Sequence, residues 1–428
     1  RDEIVETFGE SVLAPGSRTE ELASFKTFDA ETAGLVGANF RAASVPLVPL
    51  RLEYRQPDIK MPESSAFPGF TLESTASGIT LVAAETEAAA AAAACLLQLL
   101  HFGWDGWRFS LPECRIEDYP SMEWRGLMLD CARHFLPIPA LKKLIRTAWL
   151  YRINRLHWHL SDDQGWRIEL LNLPGAAGSG STRPGGDPDR NGYYMQTEIR
   201  DIVAFAAERG ITVVPELDLP GHVQAVLDAY PALACTPGPH AVRTQWGISE
   251  DVLCMGNEDS LRFARAAWDE VCELFPGPYV HIGGDECPTV RWESCPRCAE
   301  KKKTLGLKNW VDLHGHFVSE ISRYLEGKGK KVFGWDEVLD STIPGPANVV
   351  HWRQWFPDLG HKALEGGRDL IRSPFSPYYL DFVQTEDRTL SPGLAYRDPA
   401  ASTLRRVYEF DPLEGFAADS LLPDQAEG

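Results

Sequence analysis

The chain has 428 residues, 44% of them apolar, and carries 61 acidic against 42 basic side chains for a formal net charge of −19. That length is too great for one small core and predicts a large barrel or open sheet with a smaller domain beside it. An acidic surface repels phosphate backbones and anionic lipid, which argues against nucleic-acid and membrane-surface partners, and no stretch reaches the roughly 18 consecutive apolar residues of a membrane span.

Along the first part of the chain, Leu50, Leu52 and Tyr54 alternate, as do Phe70 and Leu72, then Ile79 and Leu81 after the Ser77-Gly78 turn. This is the period of strands, and it predicts an antiparallel sheet. Residues 85–100 are strong helix formers with an apolar end and are expected to lie across that sheet. Together they read as a companion α+β domain over residues 1–115, ahead of a catalytic domain over 116–428. In the second part, short apolar strands at 126–130, 155–160, 212–217, 279–282, 331–335, 349–352 and 369–372 alternate with amphipathic helices such as 139–151, 197–209, 259–275 and 310–327. That rhythm is the signature of a parallel sheet with crossovers, and predicts an α/β fold, a (β/α)8 barrel. Seven strands are countable, so the last strand is expected to be missing from this chain. A Gly/Ser/Pro-rich stretch at 174–192 reads as a surface excursion.

Each barrel strand ends in polar or aromatic residues: Asp130 and Arg133, Asp162 and Asp163, Glu216 and Asp218, Asp285 and Glu286, Trp335, Trp352. In such a barrel these ends meet at one face, where active sites sit. The string His281-Ile282-Gly283-Gly284-Asp285-Glu286 stands out, because two glycines let the backbone leave the strand and two adjacent carboxylates follow. Neighbouring side chains on an extended segment point in different directions, so the pair suits one proton donor and one orienting group better than an acid and a nucleophile on opposite sides of a bond. Thirteen tryptophans tilt the composition toward carbohydrate, whose rings stack on indole faces.

The strings Arg125-Gly126-Leu127-Met128-Leu129-Asp130 with Arg133-His134-Phe135, His157-Trp158-His159-Leu160-Ser161-Asp162-Asp163, Pro215-Glu216-Leu217-Asp218 running to Gly221-His222, and Gly334-Trp335-Asp336-Glu337, taken with 281–286, resemble the family-twenty glycoside hydrolases, the β-N-acetylhexosaminidases. The resemblance implies substrate-assisted chemistry, in which the sugar's own 2-acetamido oxygen attacks its anomeric carbon. It implies Glu286 as general acid and base and Asp285 as the partner of the acetamido N–H. Arg133 resembles the clamp on the 3- and 4-hydroxyls, Trp335 and Trp352 the walls around the acetamido methyl, Tyr379 the donor to the acetamido oxygen, and Asp381 an acceptor for an outer hydroxyl. Tyr378 competes for the tyrosine role, although the spacing to Asp381 favours Tyr379. Asp162, His222, Asp218 and His159 resemble residues that orient Arg133 and Glu286, with purely structural roles equally open. The family's Trp and Glu on the last strand find no match between Asp411 and Gly428. A glycan ending in a β-linked N-acetylhexosamine is the implied partner, and no cofactor is required. A start at Arg1 rather than Met fits a secreted or periplasmic protein whose leader has been removed.

Two other readings compete. The His157-Trp158-His159 pair of imidazoles on one strand face suits a metal-dependent amidohydrolase barrel, and a missing strand suits a non-catalytic glycan-binding protein. Among nine cysteines, Cys287, Cys295 and Cys298 form C-x7-C-x2-C behind the carboxylate pair, a spacing open to structural zinc or to a disulfide, while Cys235 and Cys254 offer a different pairing.

Overall fold

The alternating segments near the N-terminus form strands β1 (Leu50–Tyr54), β2 (Phe70–Thr75), β3 (Gly78–Ala83) and β4 (Cys114–Asp118) of a sheet ordered β1-β3-β2-β4. The computed structural model describes residues 50–59, 68–104, 110–183, 185, 191–343, 345–383, 387 and 402–416. Strands β2 and β3 make a tight hairpin in which Thr75 faces Gly78, whose φ of 147° suits glycine, and β4 adds to β2 antiparallel. Strand β1, by contrast, joins β3 in parallel, with Leu52 opposite Leu81. Alternation reveals which residues share a face but carries no information on strand direction, so this outer pairing differs from the expected antiparallel one. The sheet's last strand runs across the boundary read at residue 115.

Helix α1 (Thr86–Phe102) packs its buried alanines, Ala88, Ala89 and Ala92 among them, on Phe70, Leu72, Ile79 and Leu81. Small side chains let the helix approach the sheet closely. Its other side meets the barrel: Trp149 Nε1 donates to the Ala90 carbonyl at 2.7 Å, Arg152 Nη1 to Ala91 at 2.6 Å, and Glu87 accepts from Arg125 at 3.0 Å and Asn154 at 2.8 Å.

The barrel strands lie where the sequence places them: β5 (Gly126–Asp130), β6 (Arg155–His159), β7 (Thr212–Glu216), β8 (Tyr279–His281), β9 (Lys331–Trp335), β10 (Asn348–His351) and β11 (Leu370–Arg372). They pair in parallel in the order β11-β10-β9-β8-β7-β6-β5. Helices α2 (Ile138–Leu150), α3 (Gln196–Ala207), α4 (Glu258–Leu274), α5 (Val311–Glu326) and α6 (Asp358–Glu365) make the crossovers. The fold is of the (β/α)8 type preceded by a small α+β domain, and no eighth strand lies among the described residues. Residues of the C-terminal segment pack beside α6 and β11, where Arg372 Nη1 donates to the carbonyls of Pro412 at 2.7 Å and Glu414 at 2.8 Å. Four tryptophans, Trp158, Trp166, Trp268 and Trp292, are fully buried core residues, so much of the tryptophan excess serves packing. Among the described residues, no helix is long and apolar enough to cross a membrane.

The register of the strands sets up the site. Asp130 pairs with His159, His159 with Glu216, and Glu216 with His281. In-register neighbours of a parallel sheet share a face, so one rung at the carboxyl ends of β5 to β8 carries four polar residues side by side.

The contact between α1 and α2 is testable. Trp149→Phe removes the indole's bond to the Ala90 carbonyl, which keeps its own helical donor, and should destabilise the chain by about 0.5–1.5 kcal/mol, read as a lower urea midpoint.

Candidate active site

At the centre of the polar rung, Glu216 is fully buried. Its Oε2 lies 2.5 Å from His159 Nδ1 and 2.8 Å from His157 Nε2, and its Oε1 lies 3.0 Å from His281 Nδ1 while accepting the indole N–H of Trp335 at 2.9 Å. Burial opposes its charge, but His159, His281 and His157 outweigh that and hold its pKa well below the usual carboxylate value. His159 is the reciprocal case. Burial disfavours its cation, yet Glu216 and Asp162 raise its pKa well above the ordinary imidazole value. Burial instead wins at His281, whose pKa falls to about 4, leaving it neutral.

From His159 the chain of charges runs outward. His159 Nε2 lies 2.9 Å from Asp162 Oδ2, which also receives Arg133 Nη2 at 2.7 Å. Arg133 is held from its other side by Asp130, at 3.1 Å from Nη1, and Asp130 also accepts the Arg133 backbone N–H at 2.9 Å. Burial works against the Asp162 carboxylate, and Arg133, His222 and His159 together keep its pKa well below the usual value. His222, with a φ of 50°, places Nδ1 at 3.3 Å from Asp162 and 3.5 Å from Asp163. Its Nε2 sits 3.6 Å from Asp285 and 3.4 Å from Glu286. Burial opposes its charge, but Asp162 and Asp285 raise its pKa well above normal, so an imidazolium separates two pairs of carboxylates.

The exit of β8 explains how adjacent residues can both reach His222. Gly283 has φ 67°, Gly284 φ 93° and Glu286 φ 44°. Only glycine occupies the first two cheaply, and a Cβ on Gly283 would lie 1.9 Å from Asp218 Oδ1. Asp218 pins the bend by accepting the Gly284 N–H at 3.0 Å, and Trp335 N–H donates to the Gly283 carbonyl at 3.0 Å. Glu286, in the left-handed region without being glycine, is a strained residue of the kind that gathers at functional sites. Burial and the neighbouring Asp285 carboxylate push Asp218 well above its usual pKa, and burial also raises Asp285. The two carboxyls therefore titrate as a pair, both held above the ordinary carboxylate range. The two outer carboxylates differ in access: the Asp285 side chain is 16% exposed and that of Glu286 is 32% exposed.

The strands beyond β8 supply an aromatic side. Trp352 stacks on Tyr379 with centroids 6.2 Å apart and planes at 27°, and its Nε1 donates to Glu337 Oε2 at 3.0 Å. Asp336 fixes this turn by accepting the backbone N–H groups of Trp352 at 3.1 Å and Arg353 at 3.0 Å. Burial, then the nearby Asp285 and Glu337 carboxyls, push the Tyr379 hydroxyl well above its usual pKa. Asp381 is exposed, and burial of its carboxyl and the nearby Asp130 raise its pKa. Tyr378 instead packs edge-on against Phe410, with ring centroids 4.9 Å apart.

Asp285, Glu286, Arg133, Asp162, His222, Trp335, Trp352, Tyr379, Asp218 and His159 thus belong to one connected set. Sequence reasoning gave no role to Glu216, whose one mark in the sequence is its position at a strand end. It also missed Glu337, whose pKa burial and Asp285 raise to about 9, and Trp246, whose ring lies 5.8 Å from the Arg133 guanidinium. His157 and His159 both turn to Glu216. The cysteine triad is corrected: the thiols of Cys295 and Cys298 gather with those of Cys235 and Cys254, and Cys287 is not among them. Cys287 instead lies against Gly221, beside His222.

The chain matches the glycosyl hydrolase family 20 catalytic domain over residues 122–426. It is 39% identical to a β-hexosaminidase of Porphyromonas gingivalis, over 81% of this chain and 44% of that protein, and 35% identical to one of Vibrio furnissii, over 75% and 54%. It spans about half the length of these curated relatives. Among solved structures it resembles a β-N-acetylhexosaminidase of Bacteroides fragilis, with TM-score 0.73, 30% identity and 85% and 70% coverage. It also resembles a family 20 exo-β-N-acetylglucosaminidase of Vibrio harveyi in complex with N-acetylglucosamine, with TM-score 0.74, 30% identity and 86% and 58% coverage.

Two outcomes follow from the geometry. Gly283→Ala combines a forbidden φ with a clash on Asp218 and should cost more than about 2 kcal/mol, measured by chemical denaturation. His222 has a raised pKa, so its ionic contribution to stability is complete below the unfolded value near 6.5 and is lost as pH rises through its folded pKa. The stability gap between the parent and His222→Gln should therefore be widest and flat at acid pH and shrink from neutral pH upward. A gap that grew with pH would contradict this charge assignment.

Proposed function

Because the chain belongs to glycosyl hydrolase family 20, we propose that it removes terminal β-linked N-acetylglucosamine or N-acetylgalactosamine from glycans, acting from the chain end with retention of anomeric configuration. The observation that carries this reading is the convergence of Asp285 and Glu286 on one edge of His222, at 3.6 and 3.4 Å. A retaining enzyme with its own nucleophile needs two carboxyl groups flanking the bond about 5–5.5 Å apart. Two carboxylates gathered at one imidazole nitrogen suit a different division of labour, in which the nucleophile comes from the substrate.

In this mechanism Glu286, the more open of the two, protonates the glycosidic oxygen as the C1–O bond breaks. The carbonyl oxygen of the 2-acetamido group attacks C1 from the opposite face and forms a cyclic oxazolinium. Asp285 accepts the amide N–H and balances the positive charge that develops there. It stands beside the His222 cation, whose Nε2 lies 3.6 Å away. Water then attacks C1 while Glu286 takes its proton, so two inversions return the β-anomer and restore the acid.

Tyr379 donates to the attacking acetamido oxygen, and its stacking on Trp352 supports that role. Trp352 and Trp335 bound the acetamido methyl, each oriented by a carboxylate that takes its indole N–H. Arg133 grips the 3- and 4-hydroxyls, with Asp162 and Asp130 aiming its fork. Asp381, exposed near Arg133, takes an outer hydroxyl. The chemistry draws only on side chains, water and the substrate's own acetamido group.

A chromogenic β-N-acetylglucosaminide and the corresponding galactosaminide test the reading. Both should be hydrolysed, Asp285→Asn and Glu286→Gln should each lower kcat by about 10²-fold or more, and the β-glucoside without the acetamido group should be inert. Equal turnover of that β-glucoside would falsify the proposed nucleophile. Asp130→Asn should chiefly raise KM, because it loosens Arg133 while leaving His222 and its carboxylate neighbours in place.

A further inference from the structure

In the excursions that follow β7 and β8, four cysteines from three segments come together. The Sγ atoms of Cys235, Cys254, Cys295 and Cys298 all lie within 4.8 Å of one another. Cys235 and Cys298 are 3.6 Å apart, Cys254 and Cys298 3.6 Å, and Cys254 and Cys295 3.8 Å. Four sulfurs around one zinc ion at about 2.3 Å form a tetrahedron whose edges are about 3.8 Å. These three separations match that edge, and the other three are no longer than 4.8 Å. Two disulfides would instead draw the sulfurs into pairs at about 2.05 Å, whereas here Cys254 and Cys298 each have two sulfur neighbours at similar distance.

The backbone is shaped to hold this arrangement. The Cys254 N–H donates to the Leu233 carbonyl at 2.7 Å, and a bridge between Ala234 and Leu253 sets Cys235 beside Cys254. Cys295 and Cys298 open a helix, Pro296–Thr304, as a C-x2-C turn. That turn packs directly on Gly256, where a Cβ would lie 2.1 Å from the Arg297 carbonyl carbon. The Gly256 N–H donates to Cys298 Sγ at 3.3 Å, a bond that favours a sulfur carrying negative charge. Cys254, Cys295 and Cys298 are buried, as an inert structural site requires.

We propose that these four cysteines bind one structural zinc ion as a closed tetrathiolate. Four thiols lose their protons and supply all four bonds to Zn²⁺, so no position is left open for substrate or water. The ion's place in the fold gives it a purpose. Cys235 and Cys254 follow His222 after β7, while Cys295 and Cys298 follow Glu286 after β8. Leu253 N–H donates to the Pro220 carbonyl at 3.0 Å, and the buried Trp292 indole donates to the Leu253 carbonyl at 2.9 Å. The metal therefore ties together the two excursions that position His222 and Glu286, and acts on the reaction only through them.

Elemental analysis with native mass spectrometry of the full chain, expressed with zinc, should find about one zinc per chain. Exchange of the parent protein into Co²⁺ should give the strong charge-transfer and visible d–d bands of tetrahedral all-sulfur cobalt, a readout that needs no variant to fold. Cys254→Ser and Cys298→Ser should lose the metal, and Cys287→Ser should keep it. Removing the ion should lower the melting temperature by more than about 5 °C. The proposal is overturned if reduced protein takes up no stoichiometric zinc, if the bound metal is iron, or if the intact mass is lower by about 4 Da, as two disulfides would make it. None of these outcomes depends on which sugar is cleaved.

Discussion

The site rests on a file of buried charges with alternating sign: Glu216, His159, Asp162, then Arg133 and His222, then the acidic pair at the end of β8. Each member would cost several kcal/mol to bury alone, so each is held where its neighbours are. Register makes the file possible, because Asp130, His159, Glu216 and His281 occupy one rung of a parallel sheet. The return on this arrangement is position rather than stability. A guanidinium gripped from two sides and an imidazolium set between carboxylates have little freedom to wander, and they face the ligand side of the barrel.

The turn after β8 converts that order into function. A regular strand would aim consecutive side chains apart, yet Asp285 and Glu286 both reach His222. Successive positive φ values at Gly283 and Gly284, and again at Glu286, redirect the chain within four residues. Asp218 holds the bend by accepting the Gly284 N–H, and its buried carboxyl titrates as a pair with that of Asp285, so one side chain bears on both the backbone and the electrostatics of the site. On the far side, Glu337 is uncharged at neutral pH, its pKa lifted to about 9 by burial and by Asp285, which lets a third carboxyl approach the cavity without adding a negative charge.

Much of this was legible in the sequence. The seven barrel strands and the main helices follow from apolar runs and their period, and the acidic pair behind two glycines announces a strand end. Polar residues buried among themselves leave no such mark: Glu216 reads as one more acidic strand end until the register sets three imidazoles and an indole around it. The parallel pairing of β1 was hidden because alternation has no direction. Cysteine spacing misled for a related reason, since Cys287 is near Cys295 in sequence but Cys235 and Cys254 are near it in space. Of thirteen tryptophans, composition could not separate those that fill the core, such as Trp158 and Trp268, from Trp352 at the site.

The central chemical claim is that the sugar's acetamido oxygen is the nucleophile, with Asp285 and Glu286 serving it. It is tested most directly by a series of aryl 2-deoxy-β-glucosides bearing acetyl, fluoroacetyl, difluoroacetyl and trifluoroacetyl amides. Each fluorine withdraws electron density from the attacking carbonyl oxygen while changing the shape of the group very little. If that oxygen forms the bond to C1, kcat/KM must fall steeply and regularly along the series. A rate indifferent to fluorination would mean that a protein side chain or water attacks instead, and would contradict the account.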